Sequence, residues 1–490
     1  MTFGALLRGS LLYTIGSVVP RIGIFLLLPI YTLGMGAGEF GVFSLMLSLA
    51  NLLTIMFRLG LDGSLLRFHF EVPAARRPAL YWTTAALTLL AGAVLGGLGV
   101  ILVGPVFEAA FADVPFAPYG LLAIAVAAVT AFQFIPTSYF RAIERPGLVF
   151  WLGILSFGAG AIATLALVLG LHLGAAGGLI GQAVGGGVVV VATLATLARL
   201  RPASLDATLA RESLEFGIPL IPHTVAGWVL NLSDRWLIGL VIGLPAAATQ
   251  IAIGVYSLGY QLGQLVTLVG VALNLAWMPF FYSRGGKSDG PAILREMTSL
   301  SVGALAILTV ASGVLAPEAV RILAPRSWGP EAIQAATVTP LVAFAGLVQG
   351  LYFMVSSPVF LQRRTKALPL LTIAAGAANV GLNLVLIPIP GIGIVGAAFS
   401  TIAGYSVMLA LTLWYASRTY PLRLDWGRLG LLFAGVVATV LVGRSIAPLG
   451  LAVAILAHAA LAGVFALGAA LVLRAPWRKA THLIRHPSEP

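Results

Sequence analysis

The sequence predicts an all-α polytopic membrane protein with about 14 transmembrane helices. These are expected to form two six-helix bundles, related by a parallel internal repeat, with two further helices at the C-terminus. Three observations predict this class: apolar runs recur from end to end, only 9% of the 490 residues are charged against 59% hydrophobic, and similar segments recur 213 residues apart. Soluble domains carry about 25% charged residues, so the composition disfavours a soluble enzyme. The continuous apolar runs also disfavour a membrane β-barrel, whose strands alternate.

The predicted spans follow from length, because a bilayer core of about 30 Å needs about 20 helical residues. The first run, which reaches Tyr31, is too long for the core of a signal peptide and is expected to remain as a span. Division of the chain at charge clusters and at Pro and Gly turns gives the following spans: 8–31, 40–62, 80–104, 118–140, 148–171, 176–198, 216–241, 251–281, 292–316, 331–359, 367–388, 392–416, 428–447 and 449–473.

The net charge of +12 lies mostly in the short connections between spans, so it indicates topology and not a nucleic-acid partner. One side of the predicted membrane receives 22 of the Lys and Arg residues and the other side receives 3. Because positive loops stay in the cytoplasm, both termini are predicted to be cytoplasmic. The chain has no cysteine, which excludes disulfides and thiolate metal sites.

An internal repeat is indicated by GVFSL at 41–45 and GVYSL at 254–258, an offset of 213 residues. With a slip to 219, three glycines near the end of the first copy also match glycines in the second. Six crossings separate the copies, so both have the same orientation in the membrane, as in transporter halves related by an axis along the membrane normal. The predicted organisation is a first bundle at 1–200, a cytoplasmic linker at 201–215, a second bundle at 216–416, two additional helices at 417–474 and a basic cytoplasmic tail at 475–490.

Polar residues inside the spans indicate where a working interior lies, because a charged side chain at mid-bilayer costs at least ~2.5–3.5 kcal/mol. Spans 1, 2, 7 and 8 each carry a polar stripe. In span 7, His223, Asn231 and Arg235 follow helical steps of four and eight residues. We therefore predict a water-filled cavity between the bundles. The candidate cavity residues are Arg21, Arg235, Arg58, Asp234, Asn231, His223, Gln264 and Asn274.

Two interpretations of these residues remain open. In the first, the arginines contact a ligand, and their excess over Asp234 makes the cavity positive and suited to an anion such as phosphate. In the second, the polar groups serve helix packing, for example through an Arg21–Asp234 pair. Arg58 could also reach the cytoplasmic surface beside Asp62.

No catalytic constellation, metal-ligand pattern or cofactor motif stands out. The sequence GIGIVG at 391–396 matches a dinucleotide fingerprint only formally, because it opens a membrane span and no acidic residue follows it within twenty positions. The predicted outer connections are too short for a catalytic domain. The expectation is a protein that is not an enzyme and needs no cofactor.

Four segments resemble bacterial oligosaccharide flippases of the polysaccharide biosynthesis family, in the multidrug/oligosaccharidyl-lipid/polysaccharide exporter superfamily. The resemblance extends over about the first 420 residues and rests mainly on the order and spacing of these segments: GEFGVFSLMLSLANLLTIMFRLGLDGSLLRFHFE at 38–71, FGIPLIPHTVAGWVLNLSDRWLIG at 216–239, IGVYSLGYQLGQLV at 253–266 and LNLVLIPIPGIGIVGAAFSTIAGY at 382–405.

The resemblance implies alternating access to a central cavity in the bacterial inner membrane. The implied substrate is an undecaprenyl-pyrophosphate-linked oligosaccharide, moved to the periplasmic leaflet for cell-surface polysaccharide synthesis. Arg21 and Arg235, and to a lesser extent Arg58, match by position the basic residues thought to engage the pyrophosphate. The resemblance further suggests H⁺ or Na⁺ as a coupling ion and polysaccharide polymerase machinery as a partner. The alternative on the same fold is an ion-coupled multidrug or metabolite antiporter, which a positive cavity disfavours.

Overall fold

The computed structural model describes residues 23, 25–111, 113–201, 204–364, 367–446 and 450–485. These residues form helices joined by short turns, and no β-strand occurs among them. Apolar side chains cover many helix surfaces, as expected where the surroundings are lipid and every backbone group must be paired internally. The predicted all-α class of a multi-pass membrane protein is confirmed.

Twelve helical segments of the described residues are long and apolar enough to cross a membrane. Predicted span 1 lies mostly outside those residues, and its described end belongs to the short helix Phe25–Gly34. Predicted span 7 is interrupted at Ile218–Leu220 and at Ser233, so it consists of shorter helices. The predicted number of fourteen is therefore approximate.

The chain divides into two compact units, Met1–Gly254 and Val255–Pro490, whose boundary falls within the long helix α13, Ala246–Arg284. The repeat-based organisation, with its join at 201–215, remains a prediction. Unit 1 contains α1 Phe25–Gly34, α2 Ala37–Arg58, α3 Leu61–Glu71, α4 Arg77–Leu98, α5 Phe107–Ala110, α6 Leu121–Ala131, α7 Phe134–Ala142, α8 Pro146–Thr164, α9 Gly174–Arg199, α10 Ala207–Gly217, α11 Ile221–Leu232 and α12 Asp234–Val241. Unit 2 contains α14 Gly290–Val314, α15 Ala316–Leu323, α16 Ala335–Leu361, α17 Leu368–Leu386, α18 Gly393–Ser417, α19 Trp426–Arg444 and α20 Leu451–Arg485.

Short 3₁₀ or π segments extend or join these helices: Ala74–Arg76, Gly99–Val103, Gly104–Val106, Phe116–Gly120, Leu165–Gly170, Ile218–Leu220, Arg326–Trp328 and Pro330–Gln334.

Small residues set the spacing of α8 and α9 in unit 1. A Cβ on Gly185 would lie 2.8 Å from the carbonyl oxygen of Ser156, and one on Gly160 would lie 3.1 Å from that of Gly181. The Ser156 hydroxyl donates a hydrogen bond to the Gly185 carbonyl at 2.8 Å. Close backbone approach through small residues, with a polar bond across the contact, is typical of membrane helix pairs.

The linker between the predicted bundles forms a helix that is fixed to unit 1. Asp206 caps α10 by accepting hydrogen bonds from the backbone amides of Thr208 and Leu209, at 3.0 and 3.1 Å. Arg76 pairs with the same carboxylate at 2.5 Å, and this contact lowers the pKa of Asp206. Leu209 is buried among residues of α3, α4, α7 and α9, whereas Leu205 is exposed.

Unit 2 has an apolar core built from α14, α16 and α19, and charged pairs close one end of it. Asp425 caps α19, accepts from Arg295 at 2.9 Å and pairs with Arg428 at 3.0 Å. The bond from Arg295 lowers the pKa of the Asp425 carboxyl. These pairs join the start of α14 to the start of α19, which attaches one of the additional C-terminal helices to the preceding ones.

Replacement of Gly185 by Val tests the α8–α9 contact. The new side chain would collide with backbone that cannot move aside, so we expect a loss of about 1–3 kcal/mol of stability, the usual cost of overpacking. Gly187→Val is the matched control, because it lies on the same helix with nothing within 4 Å of a Cβ. Thermal unfolding in detergent should show a lower Tm for Gly185→Val only. Equal Tm values would contradict the close contact.

Candidate functional site

A pair of tryptophans, one on α11 and one on α12, attaches these two helices to α2. The indole N–H of Trp236 donates to the Ser48 hydroxyl at 2.7 Å, and that of Trp228 donates to the Ser48 carbonyl at 3.0 Å. The Ser48 hydroxyl in turn donates to the Leu45 carbonyl at 2.7 Å. In an apolar interior an unpaired indole N–H would be costly, so these bonds fix how α11 and α12 lie on α2.

Aromatic contacts surround this tryptophan pair. The rings of Trp228 and Trp236 meet edge to face with centroids 5.2 Å apart, and Phe111 meets Trp236 in the same manner at 5.0 Å. Edge-to-face pairs add about 0.5–1.5 kcal/mol beyond their burial. The interruption of the helix at Ser233 lies between the two tryptophans, so both indoles reach the same serine from neighbouring short helices.

Near the start of α2, two glycines allow a very close approach to α13. A Cβ on Gly41 would collide with the Gln250 carbonyl, and a Cβ on Gly254 would collide with the Ala37 carbonyl. Gly41 and Gly254 are the first residues of the two repeat motifs, and Ala37 and Gln250 are also separated by 213 residues. The contact is therefore reciprocal, because each helix contributes the equivalent two positions of the repeat.

At the other end of α2 a second glycine pair joins the chain to α10. Leu59 and Gly60 both have left-handed backbone, with φ of 50° and 70°, and they separate α2 from α3. A Cβ on Gly217 would lie 2.6 Å from the Leu59 carbonyl, and one on Gly60 would meet the backbone of Gly217. The segment from α10 to the start of α13 thus contacts α2 or its flanking residues at three places: at the Gly60–Gly217 pair, at Ser48 through the two tryptophans, and at the Gly41–Gly254 pair.

The charged candidates of span 7 lie where α11 passes into α12. Asp234 is fully buried at the start of α12, and Arg235 beside it is 4% exposed. The Arg235 guanidinium donates to the Asn231 carbonyl at 3.3 Å, and the Asn231 amide donates to the Gly227 carbonyl at 2.8 Å. The structure therefore brings three of the predicted residues together, with one carboxylate and one guanidinium among them.

Arg58 lies at the C-terminal end of α2, where it contacts the last turn of α6. Its Nη2 donates to the Thr130 carbonyl at 2.9 Å and its Nε to the Ala131 carbonyl at 3.2 Å. The guanidinium also lies 5.9 Å from the centre of the Phe134 ring. A cation on the free carbonyls of a helix end is favourable, so the guanidinium joins α2 to α6. Its predicted role in substrate binding stays a prediction.

The remaining candidates are distributed over both units. His223 is half-buried on α11 in unit 1, and its Nδ1 atom has no hydrogen-bond partner in the described part of the chain. Gln264 and Asn274 are half-buried on α13 in unit 2; the Oδ1 atom of Asn274 is likewise without a partner among the residues described. Arg21 lies outside the described residues, so its predicted position and its pairing with Asp234 stay predictions.

The sequence indicates a polar stripe on span 2, to which Ser48 belongs, but sequence reasoning missed Trp228 and Trp236, which are the partners of Ser48. The available signal was the pair of indole donors in an apolar span next to Asp234 and Arg235. In the described ranges, no group of three or more His, Asp or Glu side chains is arranged to hold a metal ion.

Comparison with known proteins places these features in a family. The family model described as polysaccharide biosynthesis protein matches residues 6–283. No curated protein sequence matches the chain.

Several solved structures share the fold. One is "Lipid II flippase MurJ, inward closed conformation", with a TM-score of 0.66 and 13% identity over 94% of this chain and 98% of that one. An inward-facing multidrug resistance MATE family transporter of the MOP superfamily gives 0.56 and 14%, with 86% and 95% covered. A Vibrio cholerae MATE transporter gives 0.53 and 13%, with 85% and 96% covered. The chain thus has the fold of the MurJ and MATE proteins.

Replacement of Ser48 by Ala tests the tryptophan pair. The half-buried Trp236 N–H would lose its acceptor, so we expect a loss of about 0.5–1.5 kcal/mol of stability. Ser44→Ala is the control one turn away, because the buried Ser44 hydroxyl has no hydrogen-bond partner in the ranges that the structure covers. Thermal unfolding of both variants and of Ser48→Ala/Trp236→Phe provides the measurement. Equal stability of Ser44→Ala and Ser48→Ala would contradict the hydrogen bond between Trp236 and Ser48.

Proposed function

Because the chain belongs to the polysaccharide biosynthesis protein family, we propose that it is a flippase for lipid-linked oligosaccharides. It moves an undecaprenyl-pyrophosphate-linked glycan from the cytoplasmic to the periplasmic leaflet by alternating access, and it is not an enzyme. The observation that carries the proposal is the family match over residues 6–283 on a chain that has the MurJ fold over 94% of its length.

The charge of the site supports an anionic substrate group. Arg235 is buried beside Asp234 on the interrupted span, and in the proposed cavity Arg21 adds a second cation. A guanidinium presents a planar fork of donors that matches phosphate oxygens. In this mechanism the pyrophosphate replaces part of the hydrogen bonding of Arg235, while the polyprenyl chain stays in the surrounding lipid.

The geometry of α2 supports alternating access. At the points of closest approach, the Gly41–Gly254 and Gly60–Gly217 contacts are made by backbone, without interlocking side chains. Opening at Gly60–Gly217 also separates Phe216 from Phe68 and Arg67. Between the two glycine contacts the Ser48–Trp236 bond keeps α12 on α2. We propose that the two glycine pairs are gates that open in turn, one towards each side of the membrane.

The orientation follows from the charge distribution of the connections. With 22 Lys and Arg residues on one side against 3 on the other, both termini are proposed to lie in the cytoplasm of a bacterium, and the chain to lie in its inner membrane. The Gly41–Gly254 gate then faces the periplasm and the Gly60–Gly217 gate the cytoplasm. H⁺ or Na⁺ is proposed as a coupling ion, with Asp234 as the carboxylate that would respond to it, and polymerase machinery as a partner.

An ion-coupled multidrug or metabolite antiporter is the second candidate, because MATE transporters share the fold. In the proposed cavity an organic cation would have to approach both Arg235 and Arg21, which outnumber Asp234, so the proposed charge favours the lipid-linked substrate.

Transport in liposomes tests the substrate and the site together. Wild type should translocate a fluorescent undecaprenyl-pyrophosphate oligosaccharide, and Arg235→Ala should slow this about tenfold or more, because a charge-assisted bond to the phosphate is lost. Arg235→Lys keeps the charge without the fork and should be intermediate. Arg211→Ala is the control, since Arg211 is highly exposed and pairs with Glu215 on the same helix. An imposed H⁺ or Na⁺ gradient should change the rate if the proposed coupling holds.

Each outcome has a distinct meaning once circular dichroism and Tm show that the variants are folded. Normal transport by Arg235→Ala would show that Arg235 is not needed to bind the substrate, while the flippase function would still stand. Failure of wild type to move the lipid, with gradient-driven movement of an organic cation instead, would favour the antiporter.

A cysteine pair tests the proposed periplasmic gate. A Cβ on Gly38 would lie 3.9 Å from the Cβ of Gln250, which suits a disulfide. The chain has no cysteine, so Gly38→Cys/Gln250→Cys can form only that intramolecular bond. Oxidation should lock the contact and reduce transport to background, and a reductant should restore it.

The control pair is Gly36→Cys/Gln250→Cys, because nothing lies within 4 Å of a Cβ at Gly36. Mass spectrometry and transport are measured before and after oxidation. Efficient cross-linking with unchanged transport would show that this contact does not need to open.

A further inference from the structure

A second polar site lies in unit 2, at the end where α14 passes into α15 and where α19 ends. A cavity of about 380 Å³ opens there between α15, α16, α19 and α20. Its lining includes four ionisable side chains, Glu318, Arg321, Arg444 and His458. Since these helices end here, the cavity lies at the level expected for lipid headgroups.

Glu318 and His458 form a buried pair in this cavity, at 3% and 6% exposure. The Nδ1 atom of His458 lies 3.1 Å from Oε1 of Glu318, and its Nε2 donates to the Gly443 carbonyl at 3.1 Å. The second carboxylate oxygen, Oε2, is buried and has no hydrogen-bond partner among the described residues. Nδ1 of His458 is likewise without a hydrogen-bond partner among the described residues. A buried carboxylate that is short of donors is costly, so Glu318 favours a cation or an N–H donor in the cavity that it lines.

Two arginines supply the opposite charge at the mouth of the cavity. Arg321 and Arg444 are both exposed there. Arg444 Nη2 donates to the Thr337 carbonyl at 3.3 Å, which holds the guanidinium near the ends of α16 and α19. The cavity therefore offers an inner carboxylate acceptor and outer guanidinium donors, the pattern that fits a zwitterion with its ammonium inside and its phosphate outside.

An apolar groove continues from the cavity along the helices. It has a volume of about 330 Å³ and runs between α16, α18 and α19, with Leu341, Phe344, Phe399 and Val437 among its lining residues. Phe399 and Val437 are 48% and 46% exposed, so the groove is open to the lipid phase. Arg444 lines both the groove and the polar cavity, which makes them one continuous surface.

We infer that this surface binds a phospholipid with a primary ammonium headgroup, phosphatidylethanolamine. The ammonium donates to the Glu318 carboxylate, the phosphate contacts Arg321 and Arg444, and an acyl chain occupies the apolar groove. Charge complementarity selects this occupant. A choline headgroup has no N–H to donate, and a glycerol headgroup has no cation to place on the carboxylate.

Such a lipid would connect the two C-terminal helices to the helices beside them. Its headgroup would contact α15, α19 and α20, and its chain would contact α16 and α18. None of the candidate substrate residues lies in this surface, so the inference does not depend on the proposed flippase activity.

Lipid binding to the whole protein tests the inference. Delipidated protein in detergent is titrated with phosphatidylethanolamine, phosphatidylcholine or phosphatidylglycerol of the same acyl chains, and binding is followed by native mass spectrometry and by Tm. Phosphatidylethanolamine should bind about tenfold more tightly than either of the others, the effect of one charge-assisted bond. Glycerophosphoethanolamine, which lacks acyl chains, distinguishes the headgroup alone from the whole lipid and should raise Tm less.

Three variants assign the contacts. Glu318→Gln should abolish the preference for the ethanolamine headgroup, Arg444→Gln should weaken all three phospholipids, and Val437→Trp should fill the groove and weaken binding without altering headgroup preference. Arg326→Gln is the matched control, because Arg326 is a charged exposed residue nearby in sequence that does not line the cavity.

Equal binding of the three lipids by wild type would overturn the inference, as would an ethanolamine preference that survives in Glu318→Gln. Because Glu318→Gln could destabilise the His458 pair, Val437→Trp provides a second test away from it. Unchanged binding by Val437→Trp would show that the groove does not hold the acyl chain.

Discussion

The close approach of backbones at glycine is the constraint on which the rest of unit 1 depends. In lipid there is little hydrophobic drive between helices, so contact area and polar bonds decide how they associate. At Gly41–Gly254 and Gly60–Gly217 a side chain of any size would separate the backbones. With the backbones this close, the indoles of Trp228 and Trp236 reach Ser48, and the start of α12, which carries Asp234 and Arg235, is held beside α2.

Polar groups in this protein fall into two sets with different physical roles. Arg58 and Ser48 join one helix to another through hydrogen bonds, so their cost in the membrane is offset locally. His223, Asn274 and Glu318 each present a buried atom without a hydrogen-bond partner in the described ranges. Such atoms are costly when left alone, so the second set lacks partners that the described helices do not supply.

The two units differ in how their helices are held together. In unit 1 the reciprocal glycine contacts involve no interlocked side chains, which is compatible with repeated opening. In unit 2 Arg295, Asp425 and Arg428 fix the start of α19 to α14, and the cavity at Glu318 lies at its other end. The additional helices are thereby connected at both ends to the helices that precede them.

The sequence by itself determined the helical membrane class, most span positions and the positions of Arg235 and Asp234, because hydrophobic length and the cost of buried charge are local properties. Only the tertiary structure decided what those groups contact. It placed Arg58 on the last carbonyls of α6, divided span 7 into short helices and gave Ser48 two indole partners. A hydrogen bond depends on which backbones meet, and glycine spacing encodes that too weakly to be recognised in one sequence.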